Sequence, residues 1–413
     1  MIYQEDIFME NTIKKIGILT SGGDAPGMST AARAVALYAI NMGLEVAIIY
    51  EGYKGLVYDN IKEIKSVDVL DFINKGGTAI YSDRCKEFET EEGMKKGVET
   101  CKKHNIDAII AIGGDGTFGG ATDLSHLGIP TIGIPATIDN DVTSSDYALG
   151  FDTALNTNLM LGDRLRDTCE SHARCNVIEI MGRNAGYLAL QSGIALGATV
   201  IAIPECPFDE DAAMAKLKAA RAAGQRSFII AIAEGFPEKE ISRNDPILKV
   251  LSLPCDEFEV DENKNKIKLP LSCCNIDKPL KIPYGEYLAA KINLETKEEG
   301  AWIDTKFCRP AHMVRGGAPS AKDRLMAAQF AEKAVKLILE GKSDLVVCLR
   351  NGEIGTADIA YALVLDKMYK GKNPKKWHLD KITPEQLEEM KEFCAMRKKE
   401  LDDMYALAEL ISH

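Results

Sequence analysis

The sequence predicts an α/β fold built on parallel sheets. Short apolar runs recur along the chain, and each ends in a loop rich in glycine or aspartate that leads into a segment of helical length. Residues 108–112 are one such run, and residues 131–134 are the next. Because two strands joined by a helix form a parallel β-α-β unit, we expect these runs to be parallel neighbours. With 413 residues, the chain is long enough for two domains.

The same pattern predicts the other elements in order. Strands are expected at residues 15–20, 44–50, 177–180, 200–203, 228–232 and 344–348. Helices are expected at residues 28–42, 156–171 and 384–411. Residues 238–300 break the pattern, because they are charged and irregular and carry five prolines. We interpret this segment as a partly ordered insertion.

Composition limits the classes of function. The net charge of −12 argues against a nucleic-acid partner, although a few local arginines can still bind phosphate. No apolar run approaches membrane-spanning length, and residues 1–11 lack the apolar core of a signal peptide. The 11 cysteines include no C-x-x-C pair and no zinc-type histidine spacing, which indicates reduced thiols. We therefore expect a cytoplasmic protein that binds neither nucleic acid nor membrane.

The loops after the two apolar runs carry glycines and carboxylates. Asp115 lies in the sequence GGDGT at residues 113–117, and Asp139 and Asp141 lie in TIDND at residues 137–141. Parallel strands place these loops at one edge of the sheet, where α/β proteins bind ligands. Glycines let backbone N–H groups approach an anion, and carboxylates suit a hydrated magnesium ion and a proton acceptor. The expected chemistry is phosphoryl transfer.

Further motifs indicate a family. GGDGT alone is ambiguous, because it also occurs in NAD kinases and lipid kinases. The chain combines it with TIDND, with SGGDAPG at residues 21–27, with MGR at residues 181–183 and with HMVRGG at residues 312–317. Together these ordered motifs resemble the 6-phosphofructokinase family, and the resemblance runs nearly without gaps from residue 15 to about residue 235.

The resemblance implies the domain organisation and the reaction. It implies two Rossmann-like three-layer α/β domains with the active site between them, plus an insertion and C-terminal helices. Residues 1–150 with 314–370 would form the nucleotide side, and residues 151–313 with 371–413 the sugar-phosphate side, with the insertion at 238–300. The implied reaction is glycolytic: ATP phosphorylates the 1-hydroxyl of fructose 6-phosphate with the help of Mg²⁺. A homodimer or homotetramer is implied as well.

The resemblance also implies roles for individual residues. Asp139 matches the catalytic base, Arg183 matches a cation that neutralises the transferred group, and Thr137 is the third catalytic position. The implied substrate-binding residues are Thr137, Ile138, Asp139, Arg174, Met181, Gly182, Arg183, Glu234, Lys306, His312 and Arg315. The implied nucleotide-binding residues are Gly23, Tyr53, Arg84, Cys85, Gly114, Asp115, Gly116, Thr117 and Gly120. The metal is assigned to Asp115 and Asp141, and Arg174 and Lys306 are expected to serve a neighbouring subunit's pocket.

Two small residues favour ATP as the phosphoryl donor. Pyrophosphate-using relatives carry an aspartate at the position of Gly116 and a lysine at the position of Ala136. Glycine leaves room for the α-phosphate of a nucleotide, and without the lysine pyrophosphate loses a compensating cation. The donor-specificity positions are therefore Gly116 and Ala136.

Some positions depart from the family pattern. Lys306 stands where the family has an arginine, so it keeps the charge and loses the bidentate geometry. Glu89 stands where well-known bacterial members have an arginine on the nucleotide side. Of the basic residues that line the effector site in bacterial relatives, Arg33 and Arg166 remain, so we expect any effector pocket to be weak. Other basic positions of that site hold Leu37, Ala223 and Gln225.

Three alternatives stay open. A pyrophosphate-dependent phosphotransferase is one, because its members also carry long insertions. A kinase of another sugar phosphate, such as sedoheptulose 7-phosphate, is the second, and Lys306 raises it. A catalytically dead regulatory subunit or nucleotide-sensing module is the third, and the intact Asp115, Asp139 and Arg183 argue against it.

Overall fold

The computed structural model describes residues 13–242, 245–251, 258–260, 266–268 and 279–412. The chain divides into two compact units. The first comprises the described residues up to Thr157 together with His312–Leu401, and the second comprises those from Asn158 to Ala311 and from Asp402 onward.

Strands and helices alternate through most of the chain. The strands are β1 (Lys15–Thr20), β2 (Glu45–Ile49), β3 (Ile61–Ile64), β4 (Ala108–Gly113), β5 (Thr131–Pro135), β6 (Cys175–Ile180), β7 (Val200–Ala202), β8 (Phe228–Ala233), β9 (Lys239–Ile241), β10 (Phe258–Val260), β11 (Lys266–Lys268), β12 (Leu280–Ile282), β13 (Thr305–Cys308), β14 (Leu345–Arg350) and β15 (Glu353–Asp358). The α-helices are α1 (Met28–Asn41), α2 (Tyr53–Val57), α3 (Glu91–Lys103), α4 (Asp115–His126), α5 (Phe151–His172), α6 (Tyr187–Ala195), α7 (Glu210–Ala222), α8 (Ile247–Leu251), α9 (Tyr284–Glu298), α10 (Ala321–Leu339), α11 (Ile359–Tyr369), α12 (Lys376–Leu379) and α13 (Pro384–Ile411). Within the described ranges, no helix has the length and apolar character needed to span a membrane.

The first unit is organised around one sheet. Over the described residues it has seven strands in the order β15-β14-β5-β4-β1-β2-β3. The five central strands run parallel, and the edge strands β15 and β3 are antiparallel to their neighbours. β1 and β4 are buried along their whole length, as the continuous apolar runs of a parallel sheet covered on both faces should be. The predicted α/β class is confirmed.

The second unit is built on a smaller parallel sheet. Its four strands within the described residues have the order β13-β6-β8-β7. Val177 on β6 and Ile230 on β8 lie in its hydrophobic core with Leu217 of α7 and Leu288 of α9. Burying these side chains removes apolar surface from water, which is the main stabilising contribution to such a unit.

The C-terminal part of the segment interpreted as an insertion is a regular part of the second unit. Helix α9 follows Pro283 and buries Leu288 and Ile292 in the core that contains β6 and β8. The expectation that irregular structure extends to residue 300 is therefore wrong. Proline is tolerated beside a helix start, because the missing N–H would have no partner there. Much of the remaining insertion lies outside the described residues.

The C-terminal residues also group differently from the predicted domains. The family resemblance implies that residues 371–413 belong to the sugar-phosphate side, whereas the first unit extends through Leu401. Met390 on α13 is fully buried in a cluster with Val364 and Leu365 on α11. This packing ties the start of α13 to the first unit, and a polar helix gave no sign of it in the sequence.

A buried aspartate fixes the segment that leads from the TIDND loop into α5. Asp323, near the start of α10, has 0% exposure. Its carboxylate accepts hydrogen bonds from the Tyr147 hydroxyl at 2.6 Å, the Gly150 N–H at 2.8 Å and the Thr153 N–H at 2.9 Å. Buried polar groups that lose such partners are costly, so this carboxylate holds the segment in one conformation.

Candidate active site

The loops singled out in the first unit emerge from neighbouring strands. β4 pairs with β5 in parallel register from Ile109↔Thr131 to Gly113↔Pro135, which confirms the predicted β-α-β unit. β1 lies on the other side of β4 and runs parallel to it. The loop at residues 21–27, Asp115 at the start of α4, and the TIDND loop therefore follow three adjacent parallel strands and share one edge of the sheet.

The first turn of α4 is held against the loop after β1. The Thr117 hydroxyl donates to the Ser21 carbonyl at 2.9 Å. A Cβ at Gly113 would lie 2.2 Å from Thr117 Oγ1, so this position requires glycine. By contrast, a Cβ at Gly114 or Gly116 would meet nothing within 4 Å. Open space therefore borders this helix N-terminus, where an anion is favoured, and the Gly116 N–H donates to Asp115 Oδ1 at 2.7 Å.

Tyr53 and Gly120 lie beneath this turn. Tyr53 is 6% exposed, its ring stacks on Phe88 with centroids 4.4 Å apart, and its hydroxyl donates to the Thr117 carbonyl. Burial raises the pKa of this phenol, so it stays protonated. A Cβ at Gly120 would lie 2.6 Å from the Tyr53 ring. The observed role of both residues is to support α4, and their contact with a nucleotide stays a prediction.

The segment that carries Arg84 and Cys85 packs beside the same glycine loop. The Ser82 hydroxyl donates to the Gly22 carbonyl at 2.7 Å, and the Thr20 hydroxyl donates to the Tyr81 carbonyl at 2.8 Å. Arg84 is exposed, and Cys85 and Gly23 are half-buried. The structure thus brings these three predicted nucleotide-side residues to the edge where α4 begins.

The TIDND loop presents Asp139 from a rigid turn. The Asp139 N–H donates to the Thr137 hydroxyl at 3.2 Å, and Asn140 Oδ1 accepts from the Ala148 N–H at 2.9 Å. Asp139 is 3% exposed. Ile138 has 0% exposure, so any contact that it makes with a substrate would use its backbone. Ala136 is 1% exposed, and a lysine there would have to displace its neighbours.

Helix α11 and the residue that directly follows it supply two lysines that no sequence motif indicates. Lys370 Nζ lies 2.8 Å from Asp141 Oδ2 and 2.9 Å from Asp366 Oδ2. Burial lowers the pKa of Lys370, but Asp366 and Asp141 outweigh it and the net pKa is raised. Lys367 Nζ lies 3.7 Å from Asp115 Oδ2. These lysines follow the TIDND loop by more than 200 residues, and no local pattern in the sequence connects them to it.

In the second unit, the MGR turn is fixed by the loop after the adjacent strand. β6 and β8 are parallel neighbours, and Glu234 Oε1 accepts from the Gly182 N–H at 3.1 Å and the Arg183 N–H at 2.7 Å. A Cβ at Gly235 would lie 2.4 Å from the Arg183 carbonyl oxygen, so the two loops pack closely. Arg183 is exposed and Met181 is half-buried. The structure therefore brings Met181, Gly182, Arg183 and Glu234 together.

Arg174 and Lys306 also lie together, because β6 and β13 are parallel neighbours in register Lys306↔Asn176. Asp304 contacts both cations, Arg174 Nε at 2.7 Å and Lys306 Nζ at 2.8 Å. Burial raises the pKa of Asp304, but the two cations outweigh it and the net pKa is lowered. Arg309 instead pairs with the buried Glu179 at 2.6 Å, so it is not part of the Asp304 cluster.

His312 and Arg315 belong to the first unit. They lie in a 3-10 helix, Ala311–Arg315, that precedes α10. His312 is exposed, whereas Arg315 is 8% exposed and donates from Nη1 to the Asp24 carbonyl at 2.8 Å. Arg315 therefore braces the loop after β1, and a phosphate contact would use the rest of its guanidinium.

Of the ten non-glycine residues with left-handed backbone in the described part of the chain, four lie at the predicted motifs. Asn140 (φ 48°), Ala173 (φ 54°), Arg183 (φ 52°) and Ala311 (φ 49°) lie within or directly before the predicted motifs. This conformation costs about 1–2 kcal/mol for an ordinary residue, and such strained positions concentrate at functional sites. Ala173 directly precedes Arg174, and Ala311 is the first residue of the 3-10 helix that contains His312.

The arginines expected at an effector site are engaged by backbone carbonyls. Arg33 Nε donates to Leu70 O at 3.3 Å, and Arg166 donates to Leu196 O and Gly197 O. These contacts reduce the charge that either arginine offers to an anion. They agree with the expectation of a weak effector pocket, which stays a prediction.

The carboxylates at this edge of the sheet suit a magnesium ion that takes most of its ligands from water and substrate phosphates. Over the described residues, no cluster of three or more carboxylate, histidine or cysteine side chains could hold a metal by itself. Magnesium typically keeps several waters and uses one or two carboxylates plus substrate phosphates. Asp115 fits this requirement, with a side chain that is 40% exposed at the helix start. Asp141 fits it poorly, because Lys370 already occupies the carboxylate.

Comparison with known proteins agrees with the motifs. The family model described as "Phosphofructokinase" matches residues 15–338. An ATP-dependent 6-phosphofructokinase of Clostridioides difficile is 40% identical over 357 residues, which are 86% of this chain and 96% of the relative. One of Lactiplantibacillus plantarum is 40% identical over 373 residues, 90% of this chain and 99% of the relative.

Solved structures show the same fold. A phosphofructokinase from Saccharomyces cerevisiae superposes with a TM-score of 0.70 at 27% identity over 87% of this chain. This chain spans 46% of that longer chain. A pyrophosphate-dependent phosphofructokinase from Marinobacter aquaeolei superposes with a TM-score of 0.64 over 84% of this chain at 21% identity, which supports the fold alone. With a family match over residues 15–338 and bacterial relatives covered almost from end to end, the chain belongs to the phosphofructokinase family.

Proposed function

We propose that this protein is an ATP-dependent 6-phosphofructokinase that converts fructose 6-phosphate to fructose 1,6-bisphosphate in glycolysis. The observation that carries the proposal is the pair of acidic loops after the adjacent parallel strands β4 and β5. Asp115 begins a helix whose N-terminus suits phosphate, and Asp139 is presented by a neighbouring rigid loop. The names of the bacterial relatives support both ATP and the sugar phosphate.

The proposed chemistry assigns a charge or a proton to each residue. Asp139 accepts the proton of the 1-hydroxyl as this oxygen attacks the γ-phosphorus, and the bond between that phosphorus and the β–γ bridging oxygen breaks. Arg183 neutralises charge on the transferred group, because its fork suits phosphate oxygens. Thr137 fixes the turn through its hydroxyl, which the Asp139 N–H contacts. The backbone N–H groups at the start of α4 face the donor phosphates.

Recognition of the sugar phosphate is assigned to cations and to the MGR turn. Arg174, Lys306, His312 and Arg315 carry or can carry positive charge for its 6-phosphate. Glu234 uses Oε1 to hold the MGR turn, and its other oxygen is proposed to accept from a sugar hydroxyl. Met181, Gly182 and Ile138 would shape the pocket through packing and backbone contacts.

Magnesium is proposed as the cofactor. Asp115 would bind it directly or through water, and the ion would supply charge neutralisation between donor phosphates. We leave Asp141 out of the metal set because of its ion pair with Lys370.

A comparison of two sugar phosphates as acceptors tests the proposal directly. Lys306 in place of an arginine leaves room for another sugar phosphate, so fructose 6-phosphate and sedoheptulose 7-phosphate should be compared at equal concentration with MgATP. We expect kcat/KM to favour fructose 6-phosphate by at least about tenfold, and fructose 1,6-bisphosphate with ADP to be the products. A preference for sedoheptulose 7-phosphate would replace the acceptor in the proposal.

The donor can be tested at Gly116. Gly116→Asp should cut kcat/KM for ATP by roughly tenfold or more, because a carboxylate near the α-phosphate adds both bulk and repulsion. The substitution should leave the fold intact, since a Cβ at this position meets nothing within 4 Å and an aspartate suits a helix N-terminus. Steady-state kinetics and thermal melting measure the two quantities.

Gly116→Asn is the matched control, because it has the same shape without the charge. We expect it to lose less ATP activity than the aspartate variant, and the difference isolates repulsion. Unchanged use of ATP by the aspartate variant would remove Gly116 from the donor site.

Assembly gives a further prediction. If Arg174 and Lys306 complete a neighbour's pocket, the active species must be a symmetric homodimer or homotetramer. Sedimentation at assay concentration should show it. Co-refolding equal amounts of inactive Asp139→Ser and inactive Arg174→Ala should restore about a quarter of wild-type activity, because random hybrids leave both residues intact at roughly one site in four. A fully active monomer, or mixtures that stay inactive despite hybrid formation, would contradict the cross-subunit assignment.

We also propose a cytoplasmic location. Seven cysteines in the described part of the chain, among them the buried Cys101, Cys169 and Cys175, are free thiols, which is typical of proteins in reducing compartments.

A further inference from the structure

Lys367 lies at the N-terminus of α4, although it comes from the far end of the chain. It belongs to the last turn of α11, and its Nζ is 3.7 Å from Asp115 Oδ2. Asp115 is the first residue of α4, so the ammonium group lies beside a helix N-terminus that borders open space. A cation at this place adds to the attraction of the helix end for phosphate.

Lys367 in the last turn of α11 and Lys370 directly after the helix differ in how firmly they are held. Lys370 contacts Asp141 at 2.8 Å and the buried Asp366 at 2.9 Å, and Asp366 also accepts from the Thr143 N–H at 2.7 Å. This network fastens the end of α11 to the TIDND loop. The Lys367–Asp115 ion pair is longer, at 3.7 Å, and its side chains are 35% and 40% exposed. Lys367 can therefore change partner without breaking a buried contact.

The negative charges around the α4 N-terminus suggest a role for the more loosely held Lys367. The whole chain carries a net charge of −12, and Asp115 adds a carboxylate next to the donor phosphates. An anionic donor at the α4 N-terminus would be repelled by Asp115, and Lys367 can share the neutralisation of these charges with the magnesium ion proposed there. The Lys367 ammonium has three N–H donors and can contact the carboxylate and a phosphate oxygen together.

We propose that Lys367 binds the phosphoryl donor, and this inference rests on the function proposed above. Lys367 pairs with Asp115 in the unliganded protein and turns to the donor's phosphate oxygens when the nucleotide arrives. It is thus a substrate-binding residue contributed by the C-terminal part of the chain, outside the motifs that carry the family resemblance. Lys370 has a different role and holds the loop in place.

Lys367→Met tests this assignment, with Lys372→Met as the matched control. Both substitutions remove one positive charge, and Lys372 is an exposed residue just beyond α11. We expect Lys367→Met to lower kcat/KM for ATP by roughly 10- to 100-fold, the range for losing a hydrogen bond between charged groups. KM for fructose 6-phosphate should stay within about twofold. Lys372→Met should match wild type in both.

A binding measurement separates this role from catalysis and from folding. The stabilisation of the protein by MgATP without sugar, measured as a shift in melting temperature, should shrink in Lys367→Met and largely return in Lys367→Arg. Melting without ligand should change by less than about 2 °C, because a partly exposed ion pair adds little stability. An ATP response equal to that of Lys372→Met, or a large fall in melting temperature without ligand, would overturn the assignment. Absence of activity in wild type would instead refute the proposed function.

Discussion

Replacing Asp139 with serine is expected to cut turnover by about 10²–10⁴, the usual range for loss of a general base. The reason is geometric as well as chemical. Asp139 is 3% exposed and comes from a turn fixed by Thr137 and Asn140, and a serine at this position carries no carboxylate to accept the hydroxyl proton. Steady-state assays with saturating MgATP and fructose 6-phosphate measure the loss.

Asp139→Asn provides the control for shape, because it removes the proton acceptor and keeps the size of the side chain. Both variants should keep the KM for fructose 6-phosphate within a few-fold and should melt near wild type. Turnover within a few-fold of wild type in either variant would remove Asp139 from the role of base.

Replacing Asp323 with alanine should have the largest effect on stability. The substitution leaves the Tyr147 hydroxyl and the N–H groups of Gly150 and Thr153 without their acceptor in a buried place. Each buried donor left unpaired costs about 1–3 kcal/mol, so the expected loss is about 3–5 kcal/mol in the free energy of unfolding of the first unit. Urea unfolding monitored by circular dichroism measures it.

Asp71→Ala is the matched control, because Asp71 is an exposed aspartate in the same unit. Exposed substitutions of this kind change stability by about 0.5 kcal/mol or less. An Asp323 variant that unfolds with the same midpoint as the Asp71 variant would show that the buried network does not stabilise this segment.

Part of the fold could be predicted because burial leaves a strong pattern. β1 and β4 are apolar along their whole length, which is the mark of strands covered on both faces. The edge strands β3 and β15 have the sequences IKEI and EIGTAD, whose charges resemble those of a loop. Helix α9 gives no such signal, because Pro283 and the charged residues before it are typical of irregular structure, although the helix packs in the core.

Some residues of the candidate site could likewise be predicted from the sequence, and others could not. Asp115 and Asp139 were predicted from adjacent strand ends, since a β-α-β unit determines its own geometry locally. The positions of Lys367 and Lys370 could not be predicted. Tertiary packing brings them to Asp115 and Asp141, which lie more than 200 residues earlier in the chain. The burial of Tyr53 likewise depends on Gly120 and Phe88, which only the folded chain places around its ring.

The central claim is that ATP is the donor and fructose 6-phosphate the acceptor, and one assay of the wild-type protein tests it most directly. Fructose 1,6-bisphosphate formation should be measured with MgATP and with magnesium pyrophosphate in parallel, at the same saturating concentration of fructose 6-phosphate. Because Gly116 leaves space for the nucleotide and Ala136 offers no cation to pyrophosphate, we expect kcat/KM for ATP to exceed that for pyrophosphate by at least about 100-fold. A preference for pyrophosphate, or no product with either donor, would contradict the account.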